Sequence, residues 1–382
     1  MKHLNFAIFL ISLFSNLAPL TPLAILAEDK QQLSQASSAI NSTNQSASQP
    51  QLKAVEIVKL DSERLSELFQ IGETNGLSGL LAFTAELNDG WSGIFVLDLD
   101  DRKVRSLIIQ EQANNFYPTW APDGKQLAFV SNRNGHNQIF TASWFGGNQK
   151  SATQSKAPED HPSWSADGKN ILFVSESGGR GRDANVKQFE IVSGKIIQLT
   201  SFKGRNSTPR LSPNNQIISY TTNRFWPGWD VCLLDLNTRL ENCPLGGIKT
   251  YCRASWSTNS RLLVFSYGLL DDVSLGIYQL DTSKIINLNL GSGTIYDGIF
   301  MNQDHRILFS KAVNKSENFA LFVAEFPKQD LTTMPIIKQL ISSELFSLRY
   351  PSYTSAKTID LEGERARALQ QNSQSTITNN TR

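Results

Sequence analysis

Two independent series of markers recur along the chain with nearly one period. Phe83, Phe129, Phe173, Tyr220, Phe265 and Phe309 follow one another at 46, 44, 47, 45 and 44 residues. Trp120, Trp164, Leu211, Trp256, Phe300 and Tyr353 are spaced 44, 47, 45, 44 and 53. A period of about 40–50 residues filled by four short strands is that of a β-propeller. The most regular copy, YPTWAPDGKQLAFVSNR from Tyr117 to Arg133, reads as two strands and a tight turn. Pro122 presets φ for the turn and Gly124 supplies the positive φ that closes it. One such hairpin is marginal in water, so its apolar face must be covered by its neighbours.

Each unit continues with a third strand, as in GIFVLDL (93–99), NQIFTASW (137–144), WDVCLLDL (229–236) and LGIYQLD (275–281). Most add a fourth, such as KVRSLI, KIIQLT and KIINLNL, after short polar connections. The first unit (79–114) lacks an aromatic first strand, and the last motif, RYPSYTSA (349–356), lacks a second. Joining them completes a sixth blade. The expected fold is therefore all-β: a six-bladed β-propeller of four-stranded antiparallel blades over 79–357. The C-terminal strand joins the N-terminal blade, so the closed ring is expected to leave no exposed sheet edge.

Ahead of the ring, Lys2 and His3 precede an apolar run from Leu4 to Phe14 and a stretch ending at Ala27. This pattern predicts a signal peptide over 1–27, cleaved after Ala27, and hence a periplasmic or secreted protein. Residues 28–51, of which 15 of 24 are Ser, Gln, Asn or Thr, are expected to be a disordered polar tether. Residues 52–78 should pack on the main domain as a short strand, VEIVKL, and a short helix, DSERLSELFQIG. Residues 358–382 read as a polar tail.

Without Lys2 the chain holds 35 basic and 35 acidic residues, which argues against a nucleic-acid partner. No segment after the signal peptide is long and apolar enough to span a membrane. A monomer is expected. Cys232 and Cys243 flank Asn237-Thr238, a hairpin turn, at equal distances, so a disulfide or two packed thiols would both fit. Cys252 is left over, and no Cys/His spacing suggests zinc.

The hairpins resemble the propeller repeat of the TolB family, roughly PxWSPDGxxIAFxSxRxG followed by xIYxxDL. YPTWAPDGKQLAFVSNRNGHNQIF and HPSWSADGKNILFVSES match closely, TPRLSPNNQIISYTTNR and ASWSTNSRLLVFS more loosely, and GIFMNQDHRILFS keeps only the pattern. The resemblance covers 79–356. It implies a periplasmic protein that works by binding other proteins. TolB proper carries an α/β domain ahead of its propeller. Only about fifty residues separate the signal peptide from the first blade here, so that domain is expected to be missing. Similar repeats occur in propeller domains of prolyl peptidases and in some polysaccharide lyases.

A peptidase would need a Ser–His–Asp arrangement, but no GxSxG occurs. A metal-dependent lyase would need converging ligands, but His305 lies in a turn on one face while His136 and His161 belong to the other. No enzyme activity and no cofactor are expected; a divalent cation in the channel would fit the mixed charge but has no ligand set behind it. Binding is placed instead on the residues just ahead of each inner strand, which ring one mouth of the channel. Tyr117, Asp160, His161, Arg253, Asp297 and Arg349 make that mouth aromatic and of mixed sign; the alternative is that they cap strand starts and are simply solvated. The loop NRFWPGWD (223–230) opens on the same face, and Trp226 and Trp229 have hot-spot composition, although one of them is expected to tuck against the next blade. The Arg-containing turn GGRGRD (178–183) reads as a solvated loop there. Asp123-Gly124 and Asp167-Gly168 are turn residues on the opposite face. The expected function is a protein- or peptide-binding scaffold in the cell envelope; the second reading is a ligand- or glycan-binding propeller with hydrolase or lyase activity.

Overall fold

A computed structural model describes residues 53–177, 183–225, 227–269, 272–301, 304–313, 318–327 and 330–367. The expected signal peptide and tether, Trp226 and most of GGRGRD lie outside these residues. Six antiparallel sheets carry the chain, each holding four strands of one blade. In the second blade, for example, Asn115–Trp120, Gln126–Ser131, Gln138–Ser143 and Lys150–Ser151 follow one another outward. The first blade is completed from the far end of the chain, where Ser347–Thr354 pairs with Leu80–Glu86 in the register Leu80↔Thr354 to Glu86↔Ser347.

The recurring aromatics are the wedges between blades. Phe83, Phe129, Phe173, Phe265 and Phe309 are 0% exposed and Tyr220 is 1%. Six apolar clusters follow, and each joins one blade to the next. Leu80 and Val96 of the first blade meet Trp120 and Phe129 of the second, and at the join Leu308 and Val323 of the sixth meet Phe83 and Phe95 of the first. The inner-strand tryptophans add polar ties, since the Trp164 and Trp256 indoles donate to the carbonyls of Thr119 (3.1 Å) and Arg210 (3.0 Å) of the preceding blade. Losing one of the buried rings would cost about 3–5 kcal/mol.

Three expectations are corrected. Closure pairs the C-terminal inner strand with the second strand of the first blade, but each blade keeps an outer edge; two of these edges are short, Lys150–Ser151 and Ile196–Gln198. VEIVKL is not a strand. Ala54–Ile57 is a single helical turn, started by the Glu56 carboxylate accepting the Lys53 N–H (2.8 Å) and held by burial of Ile57. The helix Ser62–Glu67 forms as expected, capped by Asp61, and leads to Gln70–Ile71, which pairs with the outer strand of the sixth blade as a fifth strand. Phe69 stacks on Phe346 at 5.4 Å and plugs this segment into the join of the ring. Finally, the tail begins with a helix over 358–367 whose single buried residue, Leu361, enters the core between the first two blades. Lys125–Glu364 (2.8 Å) and Lys357–Asp100 (3.2 Å) hold it. One apolar residue gives no periodicity to find in the sequence.

Cys232 and Cys243 are joined as a disulfide across the third and fourth strands of the fourth blade.

Candidate functional site

Every inner strand has a register shift against its second strand at the same place. There the backbone turns left-handed at Tyr117 (φ 53°), His161 (51°), Thr208 (49°), Arg253 (54°), Asp297 (60°) and Tyr350 (52°). The bulge re-aims these side chains, and all six line one small cavity in the channel. None is glycine, although glycine alone adopts this conformation without strain.

Charge is concentrated on one side. Asp297, 8% exposed, forms ion pairs with Arg253 through Oδ1 and with the Arg349 Nε through Oδ2 (3.1 Å). Its Oδ2 also accepts from the Ser310 hydroxyl (3.2 Å) and the Tyr350 N–H (3.3 Å). Burial pushes the Asp297 carboxyl up, but the two guanidiniums outweigh it and bring it down to about 2. Arg349 lies over the rings of Phe319 (4.3 Å) and Tyr350 (5.1 Å), and Arg253 over Tyr350 (5.0 Å). On the other side Tyr117 packs against Tyr350 and His161, with ring centres 4.1 and 4.3 Å apart. Burial, followed by Arg253, Arg210 and Arg205, lowers His161 to about 3, so its imidazole is neutral. Burial raises the neighbouring Asp160 to about 6; it accepts the His161 N–H at 2.9 Å. Above this layer a wider cavity of about 450 Å³ opens, lined by Trp229, Tyr296, Arg253, Arg349 and Cys252 among others. Burial pushes the Cys252 thiol up to about 11, so it is not a poised nucleophile.

The model of the TolB beta propeller domain matches residues 78–260. The propeller is TolB-like. Among solved structures, TolB from Acinetobacter baumannii aligns at 16% identity with a TM-score of 0.62, covering 72% of this chain and 66% of that one. Hydrazine synthase from Kuenenia stuttgartiensis aligns at 15% with a TM-score of 0.59, covering 78% and 49%. A nidogen/laminin complex structure aligns at 8% with a TM-score of 0.56, covering 73% and 100%. The alignment thus spans just under two thirds of that TolB chain and about half of the hydrazine synthase chain. At such identities the likeness shows the fold. No curated protein sequence matches the chain.

In this TolB-like ring, Tyr117, His161, Arg253, Asp297 and Arg349 come together, with Asp160 behind His161 and Trp229 on the outer cavity wall. Sequence reasoning missed Arg210. The residue two places after each left-handed position is Thr119, Ser163, Arg210, Ser255, Ile299 and Ser352. One arginine among five neutral residues was the signal; like Tyr117, Asp160, His161, Arg253, Asp297 and Arg349, which were expected ahead of the inner strands, it lies inside one, because the strands begin before the bulge.

Proposed function

We propose that this protein is an exported, non-enzymatic TolB-like propeller that binds a protein or peptide segment of the cell envelope at the mouth ringed by Tyr117, His161, Arg253, Asp297 and Arg349. One observation carries this: six bulky or polar side chains occupy left-handed positions around one cavity, where glycine would cost less. TolB proteins, periplasmic binders of other proteins, supply the fold-level analogy. The basic-then-apolar opening of residues 1–27 favours export. Among the described residues no helix is long and apolar enough to cross a membrane. Binding is favoured over acid–base chemistry because the Asp297 carboxylate is consumed by its four donors and His161, lowered to about 3, is a weak base near neutral pH. The second reading, a ligand- or glycan-binding propeller with hydrolase or lyase activity, has in its favour the raised carboxyl of Asp160.

The test places a photo-crosslinking amino acid at Trp229, on the cavity wall, or at Asp123, on the opposite face, in cells that make the protein. Adducts with an envelope protein are expected from position 229 and not from position 123. Equal adducts from both, or none from 229, would overturn the proposal.

A further inference from the structure

We propose that the inner cavity of the channel is a carboxylate pocket, in which Arg210 and Arg253 hold an acidic group of the bound segment. This rests on the peptide-binding function proposed above and names the chemical group that the site takes.

The charges around the cavity do not balance. Arg210, Arg253 and Asp297 line it. Asp297 is already spent on Arg253 and Arg349 and on the Ser310 and Tyr350 donors. The other nearby acids, Asp160 and Glu86, do not line the cavity. Arg210 is left without a carboxylate partner among the described residues; its guanidinium donates to the Pro209 carbonyl at 3.0 Å. Arg210 is half-buried and lines the cavity, and a guanidinium carries five N–H donors in a fixed fork. Burial depresses Arg210 to about 10, with Asp297 opposing the shift and Arg253 adding to it. The Nδ1 of His161 is a buried polar atom here without a hydrogen-bond partner among the described residues.

Size and charge narrow the ligand. The cavity offers about 50 Å³, enough for a carboxyl group and one or two waters at roughly 10–15 Å³ each, and too little for a sugar or a base. Arg210, Arg253 and Arg349 share a single paired acid, Asp297, so the pocket carries excess positive charge and suits an anionic group. The planar fork of an arginine matches a carboxylate in two parallel bonds. Flanking residues of the segment would occupy the outer cavity between Trp229, Tyr296 and Tyr350.

The experiment titrates the full chain with random hexapeptides bearing a C-terminal carboxylate, with the same peptides as carboxamides, and with succinate alone. Wild type, Arg210→Gln and Arg210→Lys are compared by calorimetry, with thermal unfolding as the check on folding. The carboxylate peptides should bind at least tenfold tighter than the amides, with Arg210→Gln erasing the difference and Arg210→Lys keeping part of it. Equal binding of acid and amide overturns the pocket while leaving the peptide-binding function standing. Succinate binding that needs Arg210, with no peptide bound, keeps the pocket and removes the peptide. Binding of neither overturns the pocket. Should Arg210→Gln fail to fold, the acid-to-amide ratio on wild type still decides.

Discussion

The inner strand of every blade turns left-handed once at the channel mouth, and in five blades the chain turns left-handed again in the tight turn to the second strand; these two positions are filled differently. In the turn between the first and second strands the residues are Gly124 (φ 69°), Gly168 (68°), Asn215 (59°), Ser260 (62°) and Asp304 (49°). These are residues that enter this region at little or moderate cost. At the channel mouth they are Tyr, His, Thr, Arg, Asp and Tyr. The turn face also repeats its bonding. Ser165, Ser212 and Ser257 donate to Asp167, Asn214 and Asn259 at 2.6, 2.7 and 2.8 Å, and each accepts a backbone N–H at 2.9 Å from the strand that follows. The same bonds in three blades mark a structural task. Five kinds of side chain on one backbone position in six blades, each bearing strain of about 1–3 kcal/mol, mark a task that the fold does not require.

The largest expected effect separates an aspartate on each face. Asp297→Ala leaves two arginines without their buried counter-charge and should cost about 3–5 kcal/mol in urea unfolding. Asp167→Ala, which removes one turn acceptor, should cost about 1 kcal/mol. Similar costs for the two would break the contrast.

The second effect is a dependence on pH read at two residues of the mouth. His161 is lowered from 6.5 to about 3 in the folded protein, so the unfolded chain takes up its proton first and stability is lost as pH falls from 6.5 toward 3. Asp160 is raised from 3.8 to about 6, so the folded protein binds the extra proton and stability rises as pH falls from 6 toward 3.8. The two oppose each other in that shared window. Relative to wild type, Asp160→Asn should lose stability more steeply between pH 6 and pH 4, and His161→Phe less steeply. Parallel melting-temperature profiles for all three proteins would contradict the assignment.

The smallest effect concerns strain alone. Asn215→Gly on the turn face should stabilise by about 0.5 kcal/mol or less, because Asn already tolerates the left-handed region. Thr208→Gly relieves more strain but loses the Thr208–Thr221 hydroxyl contact at 2.7 Å, so its stability should stay within about 1 kcal/mol of wild type. Its peptide binding should fall. Chemical denaturation and calorimetry on the same two variants decide this.

The ring was legible in the sequence because its wedges are aromatic and periodic, and its closure because RYPSYTSA supplied the strand missing from the first blade. The helix over 358–367 was not, since Leu361 alone carries its burial. Nor was the helical turn at Ala54–Ile57, where a capping glutamate outweighs a β-branched run. At the mouth, topology brought the right residues together, but they lie inside the inner strands rather than ahead of them. The pairing of Asp297 with arginines of the two neighbouring blades was not visible, because residues 253, 297 and 349 meet only when the ring closes. Arg210 was hidden for a related reason: its position matters only once the bulge has re-aimed that stretch of strand toward the channel.

The most direct measurement of the difference between the faces is calorimetric titration of a random hexapeptide pool against Tyr117→Ala, at the mouth, and Asp123→Ala, in a turn. Binding should fall at least tenfold in Tyr117→Ala and remain at the wild-type level in Asp123→Ala. Undiminished binding by Tyr117→Ala, or loss in Asp123→Ala, would contradict the assignment of the mouth as the functional face.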